Sequence, residues 1–308
     1  MIPIPGVLPA PRGPIVGALT VDVEEYFQVE NLRELAAPSL WDAFPSRVEW
    51  AVERILDLLD EHAVTGTFFT LGWIAERHPR LVSRIALRGH EVASHGYGHE
   101  MLNALDPARF RTDLRRARAA LEDAAQRRVV GYRAPTWSIG PATAWALDVL
   151  IEEGYRYDAS IFPVRHDRYG DPSAPIVPHR IDRAAGSIVE LPPLVLRVLG
   201  TNLPAAGGGY LRLFPLAYTR AAVRQAVREG RPAVLYLHPW EIDPAQPRLP
   251  VGRLRGLRHY GGLAGCERKL SSLLAEHRYG RAIDVVDAFE AKAGGRRGTM
   301  LGRRAAAA

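Results

Sequence analysis

Two histidines, His95 and His99, lie four positions apart in SHGYGHE (94–100), interleaved with glycines and directly following an apolar run. Three intervening residues in a loop let two imidazoles face one ion. A carboxylate from a neighbouring segment would complete a set of two histidines and one acid with a position left for water, the open arrangement of hydrolytic rather than structural zinc. Asp22 and Glu24, in LTVDVEEYF, offer that carboxylate. Two apart on a strand, they point the same way, so one can ligate while the other stays free as a base. Taken alone, a histidine pair in a Gly-rich loop is more often turn chemistry than a ligand set. Asp22 and Glu24 could equally cap a strand end or pair with Arg133.

The elements that must position these residues can be read from periodicity. GALTVDV (17–23) reads as a strand and SRVEWAVERILDLLDEH (46–62) as a helix with Val48, Val52, Ile55 and Leu59 on one face. The strand TGTFFTL, the helix WIAERHPRLVSRIALRG and the strand HEVASHG follow. A further helix starts at Asp106-Pro107, an N-cap followed by proline at the first helical position. VVGYRAP reads as a strand, GPATAWALDVLIEEG as a helix and YRYDAS as a short strand. From 161 to 210 the rhythm breaks into Pro- and Gly-rich sequence in which SIVELPP is a strand and LPAAGGGYLRLFP a loop. It resumes with a helix near 215–229, the strand PAVLYLHPW and the helix LAGCERKLSSLLAEH. Repeated β-then-α units predict parallel strands covered by helices, an α/β barrel or open sheet.

Against that frame every candidate falls at the C-terminal end of a strand. Asp22 and Glu24 close the first, His95 and His99 follow the third, and Arg133, Asp158 and His238 end three others. In a βα barrel those ends face a common mouth, where active sites are built.

Composition narrows the rest. With 308 residues, 47% hydrophobic and 24% charged, the chain can bury a large core. The only cysteine, Cys266, excludes an intrachain disulfide and reads as a small core residue. The net charge of +6 comes mostly from arginines spread along helices without interleaved aromatics, which speaks against a nucleic-acid partner. Prolines interrupt the first apolar stretches and no basic run precedes them, so neither a cleaved leader nor a membrane span is expected. The expected site of action is therefore cytoplasmic, the inner membrane face included. Residues 1–14 read as an extension, 15–292 as one barrel domain and 293–308 as a disordered tail.

The ordered strings LTVDVEEYFQV, GTFFTLGWIAERHPRLVSRIALRGHEVASHGYGHE, GYRAPTWSI, YRYDASIFP and LYLHPWEIDP resemble the polysaccharide deacetylase family with its NodB homology domain. More narrowly, NLPAAGGGYLRLFP, HPWEIDPAQPRLP and RHYGGL resemble the extra C-terminal region, about 200–290, of the branch found with exosortase (PEP-CTERM) exopolysaccharide loci. The resemblance implies a distorted (β/α)7 barrel and metal-dependent removal of N-acetyl groups from a glycan. Where the family carries two adjacent aspartates, this chain has Asp22-Val23-Glu24. Asp22 is carried over as the base, and Glu24 is inferred to join His95 and His99 around a divalent cation, Zn2+. His238 is the candidate acid, oriented by Asp158, while Arg133 holds Asp22 ionised. A backbone N–H near Tyr97 is expected to meet the oxyanion. Tyr97, Pro135 and Trp137 are expected to contact substrate, and Trp240 to be core. The competing readings are an amidohydrolase acting on a non-sugar amide or cyclic imide, and a glycan-binding protein without turnover.

Overall fold

A computed structural model describes residues 13–305, with side chains through 293. In chain order the elements are β1 (Gly17–Val23), α1 (Val48–Glu61), β2 (Thr67–Thr70), α2 (Gly72–Arg77), α3 (Pro79–Leu87), β3 (Glu91–Ser94), α4 (Pro107–Ala125), β4 (Gly131–Tyr132), α5 (Trp145–Glu152) and β5 (Tyr157–Asp158). Then come β6 (His179–Arg183), β7 (Gly186–Glu190), β8 (Val195–Val198), β9 (Thr201–Pro204), α6 (Gly209–Leu213), α7 (Leu216–Arg228), β10 (Leu235–Leu237), α8 (Arg253–Tyr260), α9 (Leu263–Glu276), β11 (Tyr279–Gly280) and α10 (Ala282–Ala305).

Seven strands run parallel in the order β10-β1-β2-β3-β4-β5-β7, and β6 adds an antiparallel edge to β7. This is the expected α/β class with the strand count of a distorted (β/α)7 barrel. The seam between β7 and β10 has no regular ladder. It is bridged by the chain between them: Leu194 donates to the Val234 carbonyl at 2.9 Å, and Tyr236 donates to the Ala206 carbonyl at 2.9 Å. Gly207 forms a bridge with Tyr236 at φ +151°, so close that a Cβ would fall 1.7 Å from the Tyr236 carbonyl oxygen. Only glycine closes the seam here.

The barrel interior is a small cluster of its own, in which Ala18, Phe69, Ala93, Tyr157 and Val189 from five strands meet Ala282 and Val286 of α10. The start of α10 thus plugs the end of the barrel that receives the strands' N-termini. The larger core lies outside the strands, where helices lay apolar stripes such as Val52, Ile55 and Leu59 of α1 against them.

Local chemistry sets the boundaries. Asp106 caps α4 by accepting the Arg109 N–H at 2.8 Å, with Pro107 at the first position, as expected. The single helix predicted over WIAERHPRLVSRIALRG is two, because Pro79 has no N–H to continue α2 and instead starts α3. The loop predicted over LPAAGGGYLRLFP contains α6, and the hairpin β8-β9 precedes it. Among the described residues no helix is long and apolar enough to cross a membrane. The helix α10 continues to Ala305, across the stretch from 293 read as a tail, while residues 1–12 of the N-terminal extension and 306–308 lie outside the described residues.

Candidate metal and hydrolytic site

The inward face of β1 presents Thr20 and Asp22, and Glu24 continues that alternation past the strand end. The loop after β3 brings His95 and His99 opposite, so that Glu24, His95 and His99 each offer a ligand atom within 4.8 Å of the others. All three are buried. The ring nitrogen Nδ1 of His95 donates to the Arg133 carbonyl at 2.8 Å, which fixes that nitrogen as the protonated one and leaves Nε2 as an acceptor. His99 Nε2 stands 2.8 Å from Glu24 Oε2, yet that oxygen accepts no well-aligned hydrogen bond. Acceptor atoms converging on a gap, with a buried carboxylate oxygen left over, are what a divalent cation needs, and the donor set of one carboxylate and two imidazoles suits zinc.

The electrostatics agree with ionised glutamate and neutral histidine. Burial alone would raise Glu24, but the imidazoles of His99, His238 and His95 outweigh it and hold its pKa down to about 2. Burial lowers His95 to about 4. Near neutral pH protons therefore compete only weakly with a cation for its free ring nitrogen.

Asp22 is gripped from behind. Arg133 Nη1 donates to Asp22 Oδ1 at 2.6 Å and to Thr20 Oγ1 at 2.8 Å, while its guanidinium lies between Phe69 and Trp137, 4.1 and 4.6 Å from the ring centres. Both partners are buried, so this is a desolvated pair, held in place by the aromatic rings and by the bonds from Nη1. Across the cavity, His238 Nε2 lies 4.0 Å from Asp22 Oδ2 and 3.7 Å from Glu24 Oε1. Its pKa, which burial would lower, is raised to about 9 by Glu24, Glu241 and Asp22.

Several expectations about supporting residues are corrected by these contacts. Asp158 does not orient His238: its oxygens engage Ser160 and Glu190, the residue opposite it in register. Burial raises both carboxyls above their ordinary range, and Asp158 pushes Glu190 up further. His238 is instead oriented by Glu241, whose Oε2 meets both the Nδ1 (2.9 Å) and the backbone N–H (3.0 Å) of His238. Arg212 of α6 pairs with the other oxygen of Glu241. The signal was in the sequence, since Glu241 stands three residues after His238, which caps the turn that Pro239 begins, and that is capping-box spacing.

The Tyr97 amide cannot meet an oxyanion, because it already donates to Asp113 Oδ2 at 2.9 Å. Its side chain turns away, with the hydroxyl on Glu76 at 2.7 Å and Arg116 over the ring. Asp113 therefore shapes the histidine loop, and it too left a trace: an acid beside Phe110, Leu114 and Ala117 on the apolar face of α4. Trp240 is buried as expected, yet it serves the site, donating from its indole to Glu24 Oε1 at 3.1 Å and stacking on His238. Trp137 lines the cavity as expected, while Pro135 and Tyr97 do not.

The cavity over these groups is about 380 Å³, in the range of small-ligand clefts. His99, Thr136 and Trp137, all on its wall, have φ of +52°, +55° and +54°. Left-handed backbone at bulky residues costs free energy, and it is retained here where side chains must be aimed.

Comparison with known proteins divides the chain near residue 158. Residues 39–157 match the polysaccharide deacetylase family profile, and residues 159–287 match a domain of unknown function (DUF3473). Asp22 and Glu24 precede the first match and His238 lies in the second. A chitooligosaccharide deacetylase of Rhizobium leguminosarum bv. trifolii is 37% identical over 97 residues, 32% of this chain and 42% of that protein. A peptidoglycan deacetylase of Helicobacter pylori is 28% identical over 127 residues, 40% of this chain and 42% of that protein. The chain thus spans less than half the length of these curated relatives. A crystal structure of a Mycobacterium smegmatis protein assigned as a polysaccharide deacetylase superposes with a TM-score of 0.60 at 24% identity, covering 92% of this chain and 94% of that one. Puue allantoinase superposes with a TM-score of 0.57 at 17% identity over the same shares. Both share the fold.

Proposed function

Taking residues 39–157 as polysaccharide deacetylase sequence, we propose that the protein is a zinc-dependent N-deacetylase acting on an N-acetylhexosamine-containing glycan. The observation that carries this reading is the convergence of Asp22 and His238 on the cavity that holds Glu24, His95 and His99. A cation held by those three residues supplies a Lewis acid that polarises the acetamide carbonyl and acidifies water. Asp22, pinned by Arg133 at Oδ1, presents Oδ2 to take the proton of the attacking water. His238, protonated below about 9, gives a proton from Nε2 to the departing amine nitrogen as the carbon–nitrogen bond breaks. The products are acetate and a free amino sugar. A role in exopolysaccharide biosynthesis, with the glycan lipid-linked at the inner membrane face, belongs to the same proposal and rests on the resemblance of the C-terminal motifs to those of the exosortase-associated branch.

The direct test is acetate release from N-acetylglucosamine oligomers by the full chain, before and after chelation and zinc readdition. Release that vanishes with the chelator and returns with zinc supports the proposal. Turnover of a cyclic imide with no acetate from any glycan would transfer the site to the amidohydrolase reading.

Glu241→Gln tests the acid. The amide still accepts a hydrogen bond from His238 but no longer favours the imidazolium, so kcat falls about 10–100-fold, as for outer partners that orient imidazoles. The alkaline limb moves to lower pH, because the raised pKa of His238 keeps the acid charged up to about 9 and one of its causes is gone. An unmoved limb in the pH–rate profile would remove His238 as the acid. Arg212 loses its counter-charge in this variant, so rates are compared well below its melting transition.

A further inference from the structure

The outer part of the cavity holds two arginines that no carboxylate pairs with, beside an acid, Glu30, whose partner is a third arginine. Arg168, in the irregular stretch between β5 and β6, and Arg258, on α8, both line the mouth. Far apart in sequence, they converge on His166, which burial makes less basic and both guanidiniums depress further, against the opposing effect of Asp167. Arg168 Nη1 donates to the neutral amide oxygen of Asn31 at 2.6 Å. The Arg258 carbonyl accepts from Arg212 Nη2 at 2.9 Å, which fixes the backbone that presents its side chain. Among the described residues neither guanidinium forms an ion pair.

Neighbouring arginines differ. Arg47 pairs with Asp243 at 2.8 Å, Arg255 pairs with Glu34, and Glu30, the acid at the mouth, has its counter-charge in Arg33 at 3.6 Å. Asp167, the other nearby acid, faces His166 at 2.9 Å. Unpaired arginine on an open surface is ordinary, but two at the rim of an aromatic cleft are placed to act on what enters. Tyr169, Tyr210 and Phe214 line the same cavity. Tyr169 is stacked against His166 at 3.9 Å and Phe162 at 5.9 Å, a flat wall for a sugar ring.

We infer that the mouth is an anion subsite, and that the substrate is an acidic glycan whose acetylated amino sugar adjoins a carboxylate or phosphate held by Arg168 and Arg258. The inference rests on the deacetylase reading, which places the acetamide at the inner end of the same cavity.

The test is calorimetric titration of the zinc-loaded full chain with matched probes, with acetate release followed in parallel. A tetramer alternating glucuronate and N-acetylglucosamine is compared with the neutral N-acetylglucosamine tetramer, and N-acetylglucosamine 1-phosphate with N-acetylglucosamine. At low salt at least one anionic probe binds about tenfold or more tightly than its neutral counterpart, and the preference shrinks as salt rises. Preference for the uronate probe identifies a carboxylate, and preference for the phosphate probe a phosphate. Arg168→Ala combined with Arg258→Ala removes the preference, and the paired Lys variants restore most of it. Equal binding of charged and neutral probes, or a preference that survives the double Ala variant, overturns the inference. An arginine-dependent preference without acetate from any probe keeps the subsite and defeats the deacetylase reading. Acetate from the neutral tetramer without any anion preference does the reverse.

Discussion

Asp22→Asn lowers the rate of acetate release by about 10²–10⁴-fold, the usual contribution of a positioned general base, while the protein still takes up one equivalent of zinc. The amide keeps the size of the carboxylate and an oxygen for Arg133 Nη1, so the shape of the site survives. What disappears is the proton acceptor beside the scissile carbonyl. The substitution also strands a buried guanidinium, because Arg133 is 1% exposed and Asp22 is its ion-pair partner. Removing one member of a buried pair costs on the order of 3–5 kcal/mol, so melting must be measured with activity. Rates taken on the folded fraction, with metal content determined on the same sample, separate the two effects. A variant with full metal and near-wild-type turnover would falsify the assignment of Asp22 as base.

His95→Ala abolishes stoichiometric zinc binding and brings activity down to background. Of the three proposed ligands, His95 has the best-defined orientation, since its Nδ1 is held by the Arg133 carbonyl and burial lowers its pKa to about 4. Alanine leaves Glu24 and His99, too few ligands for a zinc site of the hydrolytic kind. The check need not involve turnover. Zinc at about a thousand times its Kd stabilises the wild type by about 4 kcal/mol, visible as a rise in melting temperature. The variant shows no such rise, and a variant that still does locates the ion elsewhere.

Much of the site could be read from the amino-acid sequence because it depends on position along strands. Asp22, His95, Arg133 and His238 come from four different strand ends, and one topological rule brings strand ends together. The partners that hold them were harder to see. Trp240 reads as core by its type, and only folding brings it to Glu24, 216 residues away in sequence. Asp158 stands at a strand end like the others, but its neighbour in register is a second acid, Glu190, and that choice of partner is decided by pairing order. Arg212 sits in a Gly-rich run that reads as loop, and nothing local announces that α6 will turn its guanidinium inward to Glu241. The polar alternation of β6, β8 and β9 is too weak to separate these strands from the surrounding loops.

The place of β1 in the sheet also governs how the chain can be made. Thr20 Oγ1 donates to the Leu235 carbonyl 215 residues later, and β1 pairs on one side with β2 and on the other with β10 and β11. At a synthesis rate of ~5–20 residues per second, the first strand waits about 10–40 s for its last neighbours to be polymerised. All seven of its residues end up buried, so through that interval an apolar strand edge that is sealed in the finished protein lies open. Refolding from denaturant meets the same order of events, because a long loop must close before β1 and β10 can pair. Soluble yield is therefore expected to depend on temperature and on chaperone supply during expression, and to suffer more from changes in β1 or β10 than from changes of equal size in the outer helices.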